Sequence, residues 1–471
     1  KKNIPYYKFT SLSNKFPNFI VPSKCREKKQ MYCVIKINKW ETNNKHPIGQ
    51  IEYLIGPIGN IKNEIDALLF KNNIYPKKNK ITYKTIELEN KSVEYNTFSI
   101  DPEGCKDIDD AISFNKLENN TIEIGIHIAN VARYIDNYNC NFFSTIYLEN
   151  DQINMLDSDY TYNICSLGCG DKKMALSLIL NYKDNQMISY NFKETILVNK
   201  SFSYQEANSI IQTKIIDNPI YNLHKFTCEL NNLDNISSTK LIENYMLLYN
   251  KLLAETLYKY NKNTILRTHK LNEIDLSNSL FETNLELKSF LNKVSQNAAV
   301  YKINPEETWH EDLNIQYYTH ATSPIRRYID ILNQINMINY LNKSEIILET
   351  KLDLVNEFNK NLRRFYNNYK KLKLIFSNTN YNNLDAFIID INDTNISIYI
   401  PVFDIQHNFR IISPKLLESN DISYDINTIS INQTLFKVYD KIKIDLTSLP
   451  YEEKFNKKIN IKIIDPVIKF N

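Results

Sequence analysis

Short stretches in which apolar and polar residues alternate predict β-strands towards both ends of the chain. Near the N-terminus, MYCVIKI and IGQIEYLIG lie on either side of turn residues at Pro47, and the helix-like NEIDALLFKNN follows them. From about residue 383 the runs AFIIDI, ISIYIPV, KIKIDL and KINIKIIDP repeat the two-residue period without a helix of any length. The pattern therefore predicts a small all-β barrel in each of these two regions.

The central part of the chain, from about residue 95 to 375, has the pattern of an α+β domain. Its strand-like runs TIEIGIHIANV, MALSLILNY and QMISYNF come first. Helical periodicity follows in STKLIENYMLLYNKLLAETLYKY at 238–260 and in the long stretch from Arg326 to Lys373. Strands followed by helices favour an α+β body over an alternating α/β fold.

Length and composition place these elements in a multidomain protein. The chain has 471 residues, which is more than one ordinary domain holds. It contains no run of eighteen apolar residues, and its first residues, KKNIPYYKFT, lack the apolar stretch of a signal peptide, so membrane insertion is not expected. Because the chain opens on Lys1, we expect a fragment or a processed product.

The cysteines predict reduced thiols. There are seven of them, an odd number, with no repeated pair spacing. Cys165 and Cys169 are four residues apart, but no second Cys/His pair follows at a zinc-site interval, so ordinary thiols are favoured over a zinc site. A reducing compartment is expected, either the cytoplasm or the nucleus, with an organelle as the remaining option.

Charge leaves nucleic-acid binding open. The net charge is only +3, but NKNLRRFYNNYKKLK at 359–373 carries six Lys or Arg and three aromatic residues without an acid. This composition suits a surface that follows phosphates and stacks on bases. A solvated helix face is the equally favoured alternative for a basic stretch taken alone.

The stretch SIDPEGCKDIDDAIS at 99–113 concentrates acidic side chains on a turn between apolar residues. Phe98, Ile100, Ile108 and Ile112 predict a strand, a loop and a return into structure. Carboxylates held this close repel one another unless a hard cation neutralises them. The spacing does not match a calcium-binding loop, so the motif alone leaves two options, a Mg²⁺ site and a solvated acidic turn.

A second motif, QYYTHATSPIRRYIDIL at 316–332, favours the metal site. Ser323 and Pro324 resemble the start of a helix, which would put Arg326 and Arg327 in its first turn beside the positive end of the helix dipole. An anion is expected there, although a surface helix that begins with two arginines is the alternative. Metal-binding carboxylates together with phosphate-binding cations are what phosphodiester hydrolysis requires.

Together the two motifs resemble the signature segments of the RNase II/RNB family of 3′-to-5′ exoribonucleases. The first is closest in wording to the catalytic subunit of the eukaryotic exosome and its cytoplasmic relatives. Residues 33–69 resemble the last part of the second cold-shock-type OB fold of the family, and IEIGIHIANVARYI, STIYLENDQINML, NICSL, ALSLIL, IENYMLLYN and ILRTH have counterparts in the same order. The resemblance covers about residues 30–345 and continues more weakly through a C-terminal OB fold.

The resemblance implies a fold, an RNB-type α+β catalytic domain flanked by small all-β OB folds. We place a cold-shock-type OB fold, truncated or not, at 1–75, the catalytic domain at 76–375 and a C-terminal RNA-binding OB fold at 376–471. We expect the first OB fold of the family to be absent or truncated.

The resemblance also implies roles for individual residues. Asp101, Asp107 and Asp110 are expected to hold Mg²⁺, two ions in all with Mn²⁺ as a substitute, and Asp109 is expected to be the carboxylate whose loss most affects cleavage. RNA-binding roles fall on Arg326 at the scissile phosphate, on Arg327 beside it, and on Tyr204. Tyr204, which taken alone would be assigned to core packing, matches the tyrosine that packs against the 3′-terminal nucleotides.

The function that we expect is a processive, Mg²⁺-dependent 3′-to-5′ exoribonuclease that hydrolyses single-stranded RNA to nucleoside 5′-monophosphates, alone or in an exosome-like complex. One alternative is a catalytically weak or inactive RNA-binding scaffold of an RNA-processing complex. Another is a nuclease that acts on single-stranded DNA.

Three departures from the family pattern bear on rate and substrate guidance. Asn130 occupies a position where the family usually has aspartate, and CNFF at 140–143 replaces a segment that often carries arginine. The stretch 358–384 contains no acid, whereas acids are normal there in the family.

Overall fold

A computed structural model of the chain describes most of its residues. The described residues are 4–12, 16–24, 30–41, 43–76, 80–139, 141–271, 287, 290, 298–345, 351–377, 379–392, 395–410, 422–425, 427–431, 434–448 and 459–467. They group into two compact units: one comprises 1–75, 273–296 and 357–471, and the other comprises 76–272 and 297–356. None of the helices in the described ranges is long and apolar enough to cross a membrane.

The N-terminal part of the first unit is a four-stranded sheet with one helix. Its strands, in the sheet order β1-β2-β4-β3, are β1 Tyr6–Phe9, β2 Phe19–Pro22, β3 Met31–Lys39 and β4 Ile48–Pro57, and helix α1 spans Ile61–Lys71. Asn60 caps α1, since its side chain accepts from the N–H groups of Lys62 and Asn63. Tyr32 on β3 donates to the buried Glu64 on α1 across 3.0 Å, which ties the helix to the sheet.

The C-terminal part of the same unit is a second β-structure, as the alternating pattern predicts. One sheet has the strand order β18-β17-β16-β22-β23 and the other the order β19-β20-β21. Their bounds are β16 Tyr381–Asn392, β17 Asn395–Ile400, β18 Ile405–Arg410, β19 Ile422–Asp425, β20 Thr428–Ile431, β21 Thr434–Lys437, β22 Lys441–Ser448 and β23 Ile459–Asp465. Isoleucines from both sheets, such as Ile398 and Ile429, share one buried core.

The second unit is built on a closed barrel with the strand order β12-β13-β6-β7-β8. Its strands are β6 Tyr95–Asp101, β7 Asp110–Lys116, β8 Ile122–Ala129, β12 Lys172–Lys183 and β13 Gln186–Ser203. Shorter strands accompany it: β5 Lys80–Tyr83, β9 Ile135–Asn139, β10 Ile146–Tyr147, β11 Gln152–Ile153, β14 Ile265–Thr268 and β15 Val300–Ile303. The sequence predicted several of these strands but not that they close into a barrel.

Helices cover one face of this barrel. They are α2 Val131–Tyr134, α3 Tyr204–Thr213, α4 Pro219–Asn231, α5 Ser238–Tyr260 and α6 Tyr328–Leu341. Helix α5 has the bounds that its apolar periodicity predicted. Ile124, Ile126 and Ile128 of β8 join one core with Tyr249 and Leu253 of α5, so every second residue of the strand is buried under helices.

A polar chain of side chains runs across the other face of the strands and passes through His127, which lies between two of those isoleucines. His127 of β8 lies between Ser113 of β7 and Ser177 of β12, at 2.9 Å and 2.7 Å, and Ser177 continues to Thr195 of β13 at 2.7 Å. Gly125 provides the space for the His127 side chain, because a Cβ at position 125 would lie 2.4 Å from His127 Nε2. Four neighbouring strands are thereby joined through side chains.

The stretch from Arg326 to Lys373, predicted as helical, contains two separate helices. Helix α6 ends at Leu341, and helix α7 spans Leu352–Ser377 and carries the basic stretch 359–373. Lys370 of this stretch pairs with Asp404 across 2.7 Å, and Phe365 is fully buried. Part of the basic stretch is thus used for packing within its own unit.

Candidate active site

The acidic motif forms the connection between β6 and β7, as its flanking apolar residues predicted. Asp101 is the last residue of β6 and Asp110 is the first residue of β7. Ile100 and Ile112 are buried on these strands, and Gly104 turns the loop with a φ of +78°. The four aspartates are therefore held at one end of the barrel by strands that cannot shift without exposing core.

Two of these aspartates, Asp101 and Asp110, are in surroundings that disfavour their charged form. Asp101 Oδ2 is buried and has no hydrogen-bond partner within the described residues. Burial raises the pKa of the Asp101 carboxyl to about 6, a hydrogen bond from Ser99 opposes this rise, and the like charge of Asp107 adds to it. Burial also raises the pKa of Asp110 well above its ordinary value, and the charges of Asp101 and Asp109 raise it further.

Asp109 is in a different position, because both of its carboxylate oxygens are occupied. Oδ1 accepts from the Ile325 N–H across 2.9 Å, and Oδ2 accepts from Arg326 Nε across 3.1 Å. Burial raises the pKa of the Asp109 carboxyl to about 7, although the Arg326 guanidinium and the Ile325 N–H both lower it. This contact brings together the two sequence motifs, which are more than two hundred residues apart in the chain.

Asp107 is bound by a residue that the sequence reasoning did not single out. Tyr147 of β10 donates from its hydroxyl to Asp107 Oδ2 across 2.5 Å, while the residue as a whole stays 39% exposed. Burial and then the hydrogen bond to Asp107 raise the pKa of Tyr147, so its hydroxyl remains a donor. The STIYL segment that contains Tyr147 was part of the resemblance, and this was the one sequence signal that pointed to it.

The predicted helix start at Ser323 and Pro324 is wrong. Residues 324–326 form a turn, Arg327 has extended backbone, and α6 begins only at Tyr328. The N–H groups that a helix N-terminus would offer to an anion are used inside the protein: Ser323 N donates to Asp330 and Ile325 N donates to Asp109. Backbone bonds from Thr145 N to Arg326 O and from Tyr328 N to Phe143 O hold the segment extended.

The two arginines of the motif have different surroundings. Arg326 bonds to Asp109 and to Ser323 Oγ, and its side chain keeps 40% exposure. Arg327 pairs with the fully buried Asp330 across 2.8 Å and is itself only 23% exposed. The geometry thus makes Arg326 the more accessible cation beside the acidic loop, and the RNA-binding role of Arg327 stays a prediction.

A third arginine lies close to this pair. Arg267 of β14 donates from Nη1 to His320 Nε2 across 3.1 Å, and Tyr301 Oη lies 2.6 Å from the other ring nitrogen. Burial, with the charges of Arg327 and Arg267, lowers the pKa of His320 well below its ordinary value. The imidazole is therefore neutral, accepts from Arg267 and donates to Tyr301.

Tyr204 is the first residue of α3, directly after β13. Ser203 and Glu206 form a capping box around it, which fixes where the helix begins. Burial raises the pKa of Tyr204, and the charges of Asp110 and Asp101 add to this rise, so the side chain lies within electrostatic range of the acidic loop. The fold brings Tyr204 to the aspartates, while its contact with nucleotides stays a prediction.

The donor set fits a hard divalent cation such as Mg²⁺. Oxygen ligands are those that Mg²⁺ prefers, and a cation here would satisfy the unpaired Asp101 Oδ2 and reduce the repulsion among Asp101, Asp107 and Asp110. Within the described residues, no group of three or more His, Cys, Asp or Glu side chains is already arranged to hold a metal. We refer to Asp101, Asp107, Asp109 and Asp110 together as the acidic wall.

The three sequence departures have different structural outcomes. Asn130 is buried and donates to Glu194 across 2.8 Å. Phe142 and Phe143 are buried, whereas Cys140 lies outside the described residues. The stretch without acids covers most of α7 and the start of β16.

Comparison with known proteins places this site in a family. A family model described as the RNB domain matches residues 89–238 and 217–343, and one described as the Dis3-like cold-shock domain 2 (CSD2) matches residues 6–73. The chain is 23% identical to the Homo sapiens exosome complex exonuclease RRP44 over 537 positions, which cover 92% of this chain and 56% of that protein. It thus spans little more than half the length of that relative.

Two solved structures are similar over nearly the whole chain. The apo form of Mycoplasma genitalium RNase R gives a TM-score of 0.76 at 18% identity, covering 95% of this chain and 85% of that one. Yeast Ssd1, described as a pseudonuclease, gives 0.70 at 14% identity, covering 98% and 82%. At these identities the structures show a shared fold. Since the RNB model matches more than half of the sequence, the chain belongs to the RNB-domain family and combines an RNB domain with an OB-fold cold-shock domain.

Proposed function

We propose that the chain is a divalent-metal-dependent 3′-to-5′ exoribonuclease that degrades single-stranded RNA processively to nucleoside 5′-monophosphates. The observation that carries the proposal is the contact between the two motifs. Asp109 is bound by Ile325 N–H and Arg326, while burial and like charge disfavour the charged forms of Asp101 and Asp110 beside it. This arrangement supports the proposal, because phosphodiester hydrolysis requires carboxylates that bind a metal next to a cation that binds the phosphate.

Each residue has a distinct part in this proposal. Asp101, Asp107 and Asp110 would hold the metal, which when bound lowers the pKa of water and neutralises charge on the phosphodiester. Asp109 orients Arg326, whose exposed side chain contacts the phosphate at the bond to be cleaved. Tyr147 and Tyr204 offer rings to the terminal nucleotides at the edge of the acidic wall.

The named relatives support RNA as the substrate and a larger complex as a setting. The human relative is named as an exosome complex exonuclease, and a solved RNase R structure contains ribose-methylated single-stranded RNA. We extend to this chain the binding of single-stranded RNA, work alone or in an exosome-like complex, and a reducing compartment in the cytoplasm or nucleus. A non-catalytic RNA-binding scaffold is the second candidate, because the fold is shared with a protein described as a pseudonuclease.

A degradation assay tests the proposal. The purified chain is incubated with 5′-labelled single-stranded RNA in Mg²⁺ or Mn²⁺, next to an Asp109→Asn variant and an Asp136→Asn control. Asp136 is an exposed acid of β9 paired with Lys84, so the control makes the same chemical change away from the site. Wild type and control should shorten the RNA from its 3′ end to one short product and release mononucleotides, and D109N should bind RNA without cleaving it.

Two results would redirect the proposal. Intact RNA after incubation with a wild-type chain that binds it would sink the nuclease assignment and leave the scaffold in its place. Equal degradation of the matching deoxyribose strand would overturn the RNA specificity while keeping the hydrolytic chemistry.

A further inference from the structure

The junction between β8 and α2 lies against both halves of the site. Ala129, the last residue of β8, donates its N–H to the Asp109 carbonyl across 2.9 Å. Its own carbonyl accepts from Gln334 of α6 across 2.7 Å, and Gln334 Oε1 in turn accepts from Ala132 N across 3.2 Å. Because α6 directly follows Arg326 and Arg327, a shift of this junction would move the acidic loop relative to the arginine segment.

One carboxylate on the barrel holds this junction in place. Glu194 of β13 accepts from Asn130 Nδ2 across 2.8 Å and from Arg133 through two bonds of 2.6 Å and 2.5 Å. Asn130 is the residue directly before α2, and Arg133 lies within α2. In the barrel, β12 lies between β13 and β8, the strand that leads into α2. Glu194 therefore pins the β8–α2 junction across a neighbouring strand.

The surroundings make this a strong contact. Asn130 is 1% exposed, and the side chains of Glu194 and Arg133 are 29% and 36% exposed. Burial of Glu194 opposes ionisation, but the bonds from Arg133 and Asn130 prevail and lower its pKa. A bidentate arginine–carboxylate pair fixes orientation as well as distance.

We infer that Glu194, through Asn130 and Arg133, is a positioning residue that sets the backbone of the acidic loop and so determines its affinity for divalent metal. The inference rests on the proposed function in treating the acidic wall as a metal site. It also answers the question raised by Asn130: the amide at this position is the donor that a carboxylate on β13 requires.

Exchange of the two groups gives a direct test. Glu194→Gln removes the charge that Arg133 binds, and Asn130→Asp places a carboxylate against Glu194 at the present 2.8 Å. The double variant N130D/E194Q again has one amide and one carboxylate next to Arg133, with the two positions exchanged. Glu123→Gln is the matched control. Glu123 lies on β8, at the end of the strand away from Asn130, and accepts from Asn115 across 3.1 Å in an exposed amide–carboxylate pair.

The measurement is the Mn²⁺ affinity of each purified variant by titration calorimetry without RNA, with thermal unfolding in parallel and Asp110→Asn marking the site. Each single variant should weaken Mn²⁺ binding by about 10-fold, the lower end of the range for substitutions that act on a metal site through its supporting residues. The double variant should return to within about twofold of wild type, and E123Q should bind as wild type does.

The outcomes separate this inference from the proposed function. Single variants that melt earlier but bind Mn²⁺ like wild type would show that the contact serves only the stability of the fold. A double variant that binds Mn²⁺ no better than the single variants would show that an amide–carboxylate pair between these two positions does not set the affinity. Either result overturns the inference while RNA degradation by wild type stands. Weakened Mn²⁺ binding in a chain that leaves RNA intact would support the inference and sink the nuclease, and no Mn²⁺ binding by wild type would overturn both.

Discussion

At the residue scale, Tyr147 combines two contacts that can be separated by substitution. Its hydroxyl donates to Asp107, and the residue stays partly exposed beside the acidic wall. Tyr147→Phe removes only the hydrogen bond, whereas Tyr147→Ala also removes the ring. If a base stacks on this ring, Y147A should weaken binding of short single-stranded RNA by about 1–3 kcal/mol while Y147F binds as wild type does.

Equilibrium binding in EDTA, where no RNA is cleaved, gives the answer by fluorescence anisotropy. Tyr190→Ala is a suitable control, because Tyr190 is a partly buried ring on β13 that packs against the barrel core. Equal affinity of Y147A and Y147F would show that the ring does not stack on RNA.

That the acidic motif forms a loop between two strands could be predicted from the sequence, but the contacts of its individual side chains could not. The resemblance to the family selected Asp101, Asp107, Asp109 and Asp110 from this motif, and the fold places them at one end of the barrel. That Asp109 differs from the others follows from Ile325 and Arg326, which reach it from a distant part of the chain. No local pattern contains such a long-range contact.

At the element scale, the error at Ser323 has a physical cause. Serine followed by proline is a strong local signal for a helix start. Here tertiary contacts outweigh the local signal. Asp330 accepts a hydrogen bond from the Ser323 N–H, and Asp109 accepts one from the Ile325 N–H. Arg327 forms an isolated antiparallel β-bridge with Ser144. By contrast, α5 agrees with its prediction to the residue, because its amphipathic pattern and its packing favour the same structure.

The polar chain through the barrel strands makes stability depend on pH. Burial lowers the pKa of His127 to about 3, and the nearby Lys193 adds to this effect, while the Tyr95 ring lies 4.9 Å away on β6. The folded state therefore keeps the imidazole neutral where the unfolded chain binds a proton. The free energy of unfolding therefore decreases as the pH falls below about 6.5, the pKa of histidine in the unfolded chain. Between neutral pH and pH 5 the decrease from His127 alone is about 2 kcal/mol.

His127→Gln should remove this part of the dependence, since glutamine can still donate and accept between Ser113 and Ser177 but does not titrate. Urea unfolding at several pH values, followed through Trp309 in a Trp40→Phe background, reports on the unit that contains the barrel. The carboxyl groups with raised pKa act in the opposite direction in both proteins and cancel in the comparison. Parallel pH profiles of the two proteins would contradict the role assigned to His127.

At the scale of the whole molecule, composition predicted how the chain turns. All seven glycines lie between Gly49 and Gly170, so the composition predicts that Asn, Asp and Pro make the later turns. Positive φ angles after Gly170 indeed fall mostly on Asn and Asp, as at Asn232, Asn314 and Asp404. Lys214, Lys343 and Tyr439 are exceptions. The closure of five strands into one barrel could not be predicted in this way, because it depends on a parallel pairing between β6 and β13, about a hundred residues apart.

The acidic wall should make the metal-free molecule less stable than the fold allows. Asp110 is held among Asp101 and Asp109, and burial disfavours its charged form. Asp110→Asn removes the ionisable group and with it the free-energy cost of burying it, so it should raise the melting temperature in EDTA. The same change removes a proposed ligand, so Mg²⁺ should stabilise wild type by mass action, about 2.7 kcal/mol at a hundredfold excess over the dissociation constant, and should leave D110N unchanged.

Thermal unfolding in EDTA and in a Mg²⁺ series, with Asp136→Asn as the exposed control, measures both effects together. The control should follow wild type throughout, because Asp136 lies on β9 in a surface pair with Lys84. A D110N variant that melts earlier than wild type in EDTA would show that the carboxylate is satisfied without metal. A wild type that gains nothing from Mg²⁺ would show that the wall does not bind it. We therefore expect the melting temperature of wild type to lie below that of D110N in EDTA and above it at high Mg²⁺ concentration. This result would show a site whose metal-binding residues lower the stability of the metal-free protein.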